Sequence, residues 1–235
     1  MKKIIVAIAV AGLMGGTAMA DLLASWTFTG STPIVSQVAN SFDSDLATGG
    51  SYLDLTRGAG AGTSAGASSF RTTGFQNNGI STANTDYFQV ILSADVGFSL
   101  SLSGINAYFN GTTTYPVSPG ASMQWAYSLD GSTFTLIDSP VAKIGVATTS
   151  TTDFDFTGVS ALQNVAAGTD VTLRMYATGQ TSTGGWGFFS PGGAGNEVAG
   201  LLINGSTQII PEPSVFALLA IGGLAVTRYA RRRKV

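Results

Sequence analysis

Between Asp21 and Ile210 apolar residues recur at every second position or in short unbroken runs, and no useful length repeats at the helical period. Leu22, Ala24, Trp26 and Phe28 alternate with their neighbours in the first run. Later runs cover residues 52–55, 87–92, 98–102, 105–109, 123–129, 133–137, 151–156, 171–177, 186–189 and 198–203. Turn residues bound each one, so all read as strands. About ten strands without intervening helices imply an all-β fold, an antiparallel β-sandwich or barrel. One hairpin is explicit: Asp130-Gly131 supplies the turn between 125–129 and 133–137. The Gly/Ser/Ala stretch 58–69 is expected to be a long loop, and 179–185 and 190–195 two further loops around Trp186.

The ends follow a different pattern. Residues 1–20 carry Lys2 and Lys3, an apolar stretch over 4–13, and Ala18-Met19-Ala20 as a small-x-small cleavage site. This is the layout of a secretory signal peptide, read by the Sec translocon and cut so that Asp21 begins the mature chain. At the other end Pro211-Glu212-Pro213 precedes an uncharged run over 215–226 and the basic cluster Arg228, Arg231, Arg232, Arg233 and Lys234. A spanning helix needs roughly 20 apolar residues, so one transmembrane helix just fits if 213–229 are counted. The basic cluster would keep this end cytoplasmic and the body outside. Prolines stop the helix upstream and leave Glu212 extended and accessible.

A plain stop-transfer anchor explains the helix and the basic cluster but not the Pro-Glu-Pro ahead of them. With all three parts in order, the last 25 or so residues resemble the PEP-CTERM sorting tail of Gram-negative bacteria. That resemblance implies an exosortase as partner, cutting near Pro211-Glu212-Pro213 after the chain has rested transiently in the inner membrane. It also implies a final place at the cell surface or in an extracellular matrix rich in exopolysaccharide. The division is then signal peptide 1–20, β-sandwich body 21–210 and sorting tail 211–235.

Composition sharpens the body. Only 10% of the chain is charged, yet hydrophobic residues at 44% and aromatic ones at 10% can fill a core. The overall charge of −2 hides a strong asymmetry, because within 21–210 four basic residues face twelve acidic ones, a net −8. Such a body repels phosphate backbones, which argues against nucleic acid as a partner. The chain has neither Cys nor His. That removes disulfides, thiolate nucleophiles, the Ser-His-Asp triad and the commonest metal ligand.

Several short patterns are also similar to a β-sandwich domain found ahead of PEP-CTERM tails. They are Trp26-Thr27-Phe28, Arg57-Gly58-Ala59-Gly60, Asp86-Tyr87-Phe88, the Gly97–Leu102 strand, Tyr127-Ser128-Leu129-Asp130-Gly131 and the strand through Arg174. The resemblance implies a jelly-roll-like sandwich related to carbohydrate-binding modules, with no common activity. That family closes on a Trp-x-Ile/Phe-Asp-Asn pattern, whereas this chain has Trp186-Gly187-Phe188 without the Asp-Asn.

Candidate site residues are few. Asp153 and Asp155 share one face of a strand and suit a calcium ion, while a carboxylate pair also serves glycoside hydrolysis. Equally, Phe154 and Phe156 would turn to the core and leave the aspartates in water. Trp186 between its glycine loops, with Tyr115 and Tyr108, offers flat rings for weak glycan contact, whereas Trp26 and Trp125 sit in strand patterns as core. Glu197 has no second carboxylate near it in sequence, and Lys143 has no Ser-x-x-Lys spacing, since Ser139 lies four residues upstream. Asn110-Gly111-Thr112 and Asn204-Gly205-Ser206 fit a glycosylation pattern but also simply make turns. The expected function is that of an exported, non-enzymatic surface or matrix protein with no cofactor beyond that candidate calcium. A secreted glycosidase and a self-associating adhesive protein are the alternatives.

Overall fold

The computed structural model describes residues 21–75, 78–112, 121–143, 151–179 and 184–210. Among them the chain forms β1 (Asp21–Trp26), β2 (Gln37–Val38), β3 (Ser41–Phe42), β4 (Asp54–Arg57), β5 (Thr63–Ser64) and β6 (Ser69–Thr72). There follow β7 (Tyr87–Leu92), β8 (Phe98–Ala107), β9 (Phe109–Gly111), β10 (Ala121–Ser128), β11 (Thr135–Leu136) and β12 (Val141–Lys143). The remaining strands are β13 (Thr152–Asp155), β14 (Val165–Ala166), β15 (Val171–Thr178), β16 (Trp186–Phe189) and β17 (Leu201–Ile209). A 3-10 turn at Ser160–Leu162 is the one helical element among the described residues. The fold is all-β and its ladders are antiparallel, as the period-two pattern predicts.

Two large sheets carry the architecture. One runs β13-β8-β17-β1-β3 with β14 also on β8, and the other β11-β10-β15-β7-β4-β2 with β12 also on β10. Register fixes which face each presents. On β15 the residues Val171, Leu173, Met175 and Ala177 are buried, and they stand opposite Leu92, Val90 and Phe88 of β7 and Met123 and Trp125 of β10. From the first sheet Leu100, Leu102, Ile105 and Ala107 of β8, Leu201 and Ile203 of β17, and Ala24 and Trp26 of β1 join the same core. Two sheets facing one core make the arrangement consistent with a sandwich.

A third sheet, β5-β6-β16-β9, closes on that core with aromatic rings. Phe188 sits at its centre, with ring centroids 5.4 Å from Phe88, 5.4 Å from Phe109, 6.2 Å from Trp125 and 6.4 Å from Phe28. Tilted and offset ring pairs at these separations are the favourable ones.

The structure departs from the sequence pattern in three places. Residues 98–107 form one continuous strand rather than two, paired along its whole length with β17 across a single register shift. The stretch 58–69 is not a free loop: it contains β5, and Ala61 is fully buried. Its glycines allow this packing, since a Cβ on Gly58 would collide with the Thr85 carbonyl and the Tyr87 ring. Neither Asn-Gly pair makes a turn: Asn110-Gly111 lies in β9 paired with β16, and Asn204-Gly205 lies inside β17 at a register shift.

Candidate functional site

The residues singled out by sequence scatter over the molecule. Trp186 is fully buried, stacked parallel on Phe109 at 5.0 Å with its other contacts taken by Phe75. It has no open face, which corrects the expectation of a sugar platform there: the glycine segments let the chain close around the ring. Tyr108 is half-buried between β8 and β9. Tyr115 lies outside the described residues, as do Ala18, Ala20, Pro211, Glu212, Pro213 and the basic cluster Arg228, Arg231, Arg232, Arg233 and Lys234. Asp21 opens β1 as an exposed residue whose carboxylate accepts the Leu22 amide.

Asp153 and Asp155 do share an outward face of β13, while Phe156 behind them is buried. Asp153 accepts from the Asn106 amide at 2.6 Å, and Asn106 in turn accepts from Asn204. Asp155 accepts the Thr157 hydroxyl and backbone amide, which hold its carboxyl below the usual range. Calcium takes about six to eight oxygens. Two carboxylates already engaged in this way fall short, and no group of three Asp, Glu, His or Cys side chains converges among the described residues. Glu197 is half-buried and accepts from the Ser68 hydroxyl and the Gly195 amide.

What the fold does bring together is the outward face of the seven-stranded sheet. Alternation that buries Leu173 and Met175 turns Thr172, Arg174 and Tyr176 to the other side of β15. Register then sets Arg174 beside Gln89 of β7, Thr172 beside Ile91, and Tyr176 beside Tyr87. The Arg174 guanidinium lies between two rings, 3.9 Å from the centroid of Tyr87 and 3.8 Å from that of Phe134. Its Nε donates to the Gln89 amide oxygen at 2.7 Å, and Nη1 donates to the Tyr176 hydroxyl at 3.4 Å. The Tyr176 hydroxyl donates to the Thr82 carbonyl, and burial pushes that phenol upward. Cation–π stacking on both sides plus a fixed Nε fits the planar guanidinium and would not fit an ammonium.

Beside Arg174 a groove of about 420 Å³ opens, lined by Gln89, Ile91, Leu129, Asp130, Asp170 and Thr172. Asp170 accepts from the Tyr52 hydroxyl at 2.8 Å, and this bond raises the Tyr52 phenol. Asp130 accepts from the amides of Thr133 and Ser132 and from the Ser128 hydroxyl, which hold its carboxyl far below the usual range. The groove therefore offers fixed donors from a guanidinium, acceptors from two carboxylates, an amide, a hydroxyl, and apolar surface from Ile91 and Leu129. That set pairs with hydroxyl groups in either sense and matches no strong single charge. Sequence reasoning missed it, although a signal existed: Arg174 and Gln89 are polar positions inside runs otherwise headed for the core. No family model, curated protein or solved structure matches the chain.

Proposed function

We propose that this chain is an exported, non-enzymatic protein of the cell surface or extracellular matrix whose jelly-roll-like sandwich contacts neutral glycan in the groove beside Arg174. On this reading the signal peptide leads the chain through the Sec translocon. The tail 211–235 crosses the inner membrane transiently through one helix within 213–229 and is handed to an exosortase. The observation that carries the glycan half is the ring-clamped, hydrogen-bonded Arg174 lining one groove with Asp130 and Asp170. Preorganised polar groups of both senses, with apolar patches for C–H surfaces, are what a neutral polyhydroxylated ligand needs.

The same groove gives the glycosidase reading its one support, since Asp130 and Asp170 both line it. Hydrolysis needs one carboxyl held protonated near neutral pH. Hydrogen bonds drive Asp130 the other way, and both carboxylates are already engaged as acceptors, Asp130 from the Ser132 and Thr133 amides and Asp170 from the Tyr52 hydroxyl, so we favour binding without turnover. Calorimetry of the detergent-solubilised full chain against a panel of neutral polysaccharides tests this. Saturable binding without release of reducing sugar is expected, weakened roughly ten- to hundredfold by Arg174→Ala because a charged donor is lost. Arg174→Lys should recover little. Binding indifferent to Arg174, or sugar release abolished by Asp170→Asn, would overturn the proposal.

A further inference from the structure

The end of the body from which residues 211–235 continue carries an apolar surface of its own. Val96 and Ile209 are 87% and 76% exposed, the two most exposed large apolar residues among those described, and Ile210 beside them is 41% exposed. Residues 95–98 form a tight turn, closed by the Phe98 amide on the Asp95 carbonyl at 3.1 Å. Gly97 supplies the positive φ, +93°, that a type II turn requires at its third position. Val96 therefore stands at the tip, where turn chemistry gives a β-branched apolar side chain no local role. The Ile210 amide donates to the Gly97 carbonyl at 2.7 Å, and Ile209 pairs with Phe98. Register thus gathers Val96, Ile209 and Ile210 at one end of the first sheet, with Phe98 packed behind them against the core.

What covers these residues follows from the chain that continues beyond them. Only residues 211–214 separate Ile210 from the uncharged apolar run over 215–226. Fully extended, that connection reaches at most about 17 Å. The headgroup zone of a bilayer is about 5–8 Å deep on each side, so a run that enters the hydrocarbon brings this end of the body to the headgroups. We propose that Val96, Ile209 and Ile210 rest in the headgroup zone of the membrane that the tail crosses, and thereby set how the body stands on it. The inference rests on the reading of the tail as a membrane span. Charge narrows the lipid. Asp95 sits in the same turn, and Asp45, which accepts the Thr207 hydroxyl, lies beside it through the Asp95 amide on its carbonyl. An anionic surface would repel these carboxylates, whereas zwitterionic headgroups do not. A few aliphatic side chains bury less than one myristoyl chain, which alone binds a membrane only marginally. The surface therefore orients a tethered body and lets it go once the tail is cut.

Because the chain has no Cys, Val96→Cys, Ile209→Cys and Val198→Cys can each carry one polarity-sensitive dye. Val198 is 50% exposed but lies beyond the opposite end of β17, roughly 27 Å away along the strand. The labelled full chain is reconstituted in phosphatidylcholine vesicles, and resistance to alkaline extraction reports independently whether its tail spans them. With the tail inserted, the dyes at 96 and 209 should shift to the blue and lose about twofold in intensity to nitroxide lipids labelled near the headgroup, while the dye at 198 stays unquenched. Val96→Asp should roughly halve the quenching at 209 and leave the resistance to alkali unchanged. A tail that resists alkali, with 96 and 209 no more quenched than 198, would overturn the inference and leave the tail reading standing. Equal quenching at all three positions would refute a set orientation. A blue shift without lipid quenching would place a second copy of the chain on this surface instead of the membrane. Extraction of every labelled chain by alkali would remove the tail reading and the inference together.

Discussion

Arg57 shows how much one half-buried cation can organise. Its Nε donates to the Val35 carbonyl, Nη1 to those of Ala61 and Arg71, and Nη2 to that of Ile34, while the guanidinium sits 4.0 Å from the centre of the Phe70 ring. Three separate segments are thereby tied to the end of β4. Burial pulls its pKa down to about 10, which still leaves it protonated near neutral pH. Arg57→Ala strands several carbonyls and is expected to cost about 3 kcal/mol in denaturant unfolding, with Arg57→Lys nearly as damaging because an ammonium cannot reach all four acceptors. An unchanged unfolding midpoint in both variants would refute this role. In the sequence Arg57 is legible only as the start of Arg-Gly-Ala-Gly, since neither its burial nor its acceptors are local.

At the scale of elements, the β10–β11 hairpin was the easiest feature to read because its chemistry is local. Asp130 gathers the amides of Ser132 and Thr133, and Gly131 takes the positive φ, +71°, that the turn requires. Since these bonds depress the carboxyl in the folded state, their contribution is present above the ordinary carboxylate pKa and is lost as pH falls through the folded value. Hydrogen exchange at Ser132 and Thr133 should therefore lose protection progressively below about pH 4. Asp130→Asn should already show weaker protection at neutral pH and little further change in acid. Strand β6 marks the opposite case. Ser69, Phe70, Arg71 and Thr72 are all buried, covered on both edges by β5 and β16, so no alternation remains for a pattern to report. Two-residue strands such as β2, β3 and β14 are too short to leave any periodic trace. The Arg174 groove failed to show for a third reason: it is assembled by register across β7, β15 and the hairpin loop, and register is not written in any one strand.

For the molecule as a whole, the sandwich and its core were legible because burial on one face imposes period two along each long strand, whereas the placing of Trp186 was not, since flanking glycines signal either exposure or close packing. The proposed life of the chain depends on what separates the body from its ends. Between Asp21 and Ile210 the protein carries −8, and the basic excess sits outside those limits. Strand β17 delivers the chain to exposed Ile209 and Ile210, beside exposed Val96, with the Ile210 amide held by the Gly97 carbonyl. The hydrogen-bonded body thus ends one residue before Pro211-Glu212-Pro213. Cleavage within Pro211-Glu212-Pro213 would break none of the β17 ladder, whose last pair is Ile209 with Phe98. Mass spectrometry of protein recovered from surface material is expected to give an N-terminus at Asp21 and a C-terminus near Pro211. The recovered species should lack Arg228 and the cluster from Arg231 to Lys234. Recovery of those residues in the mature protein would mean that the tail is a permanent anchor. Replacing Pro211 and Pro213 by alanine separates the two readings further. A sorting substrate should then accumulate uncut in the inner membrane, whereas a plain anchor, which needs only the apolar run and the basic cluster, should behave as before.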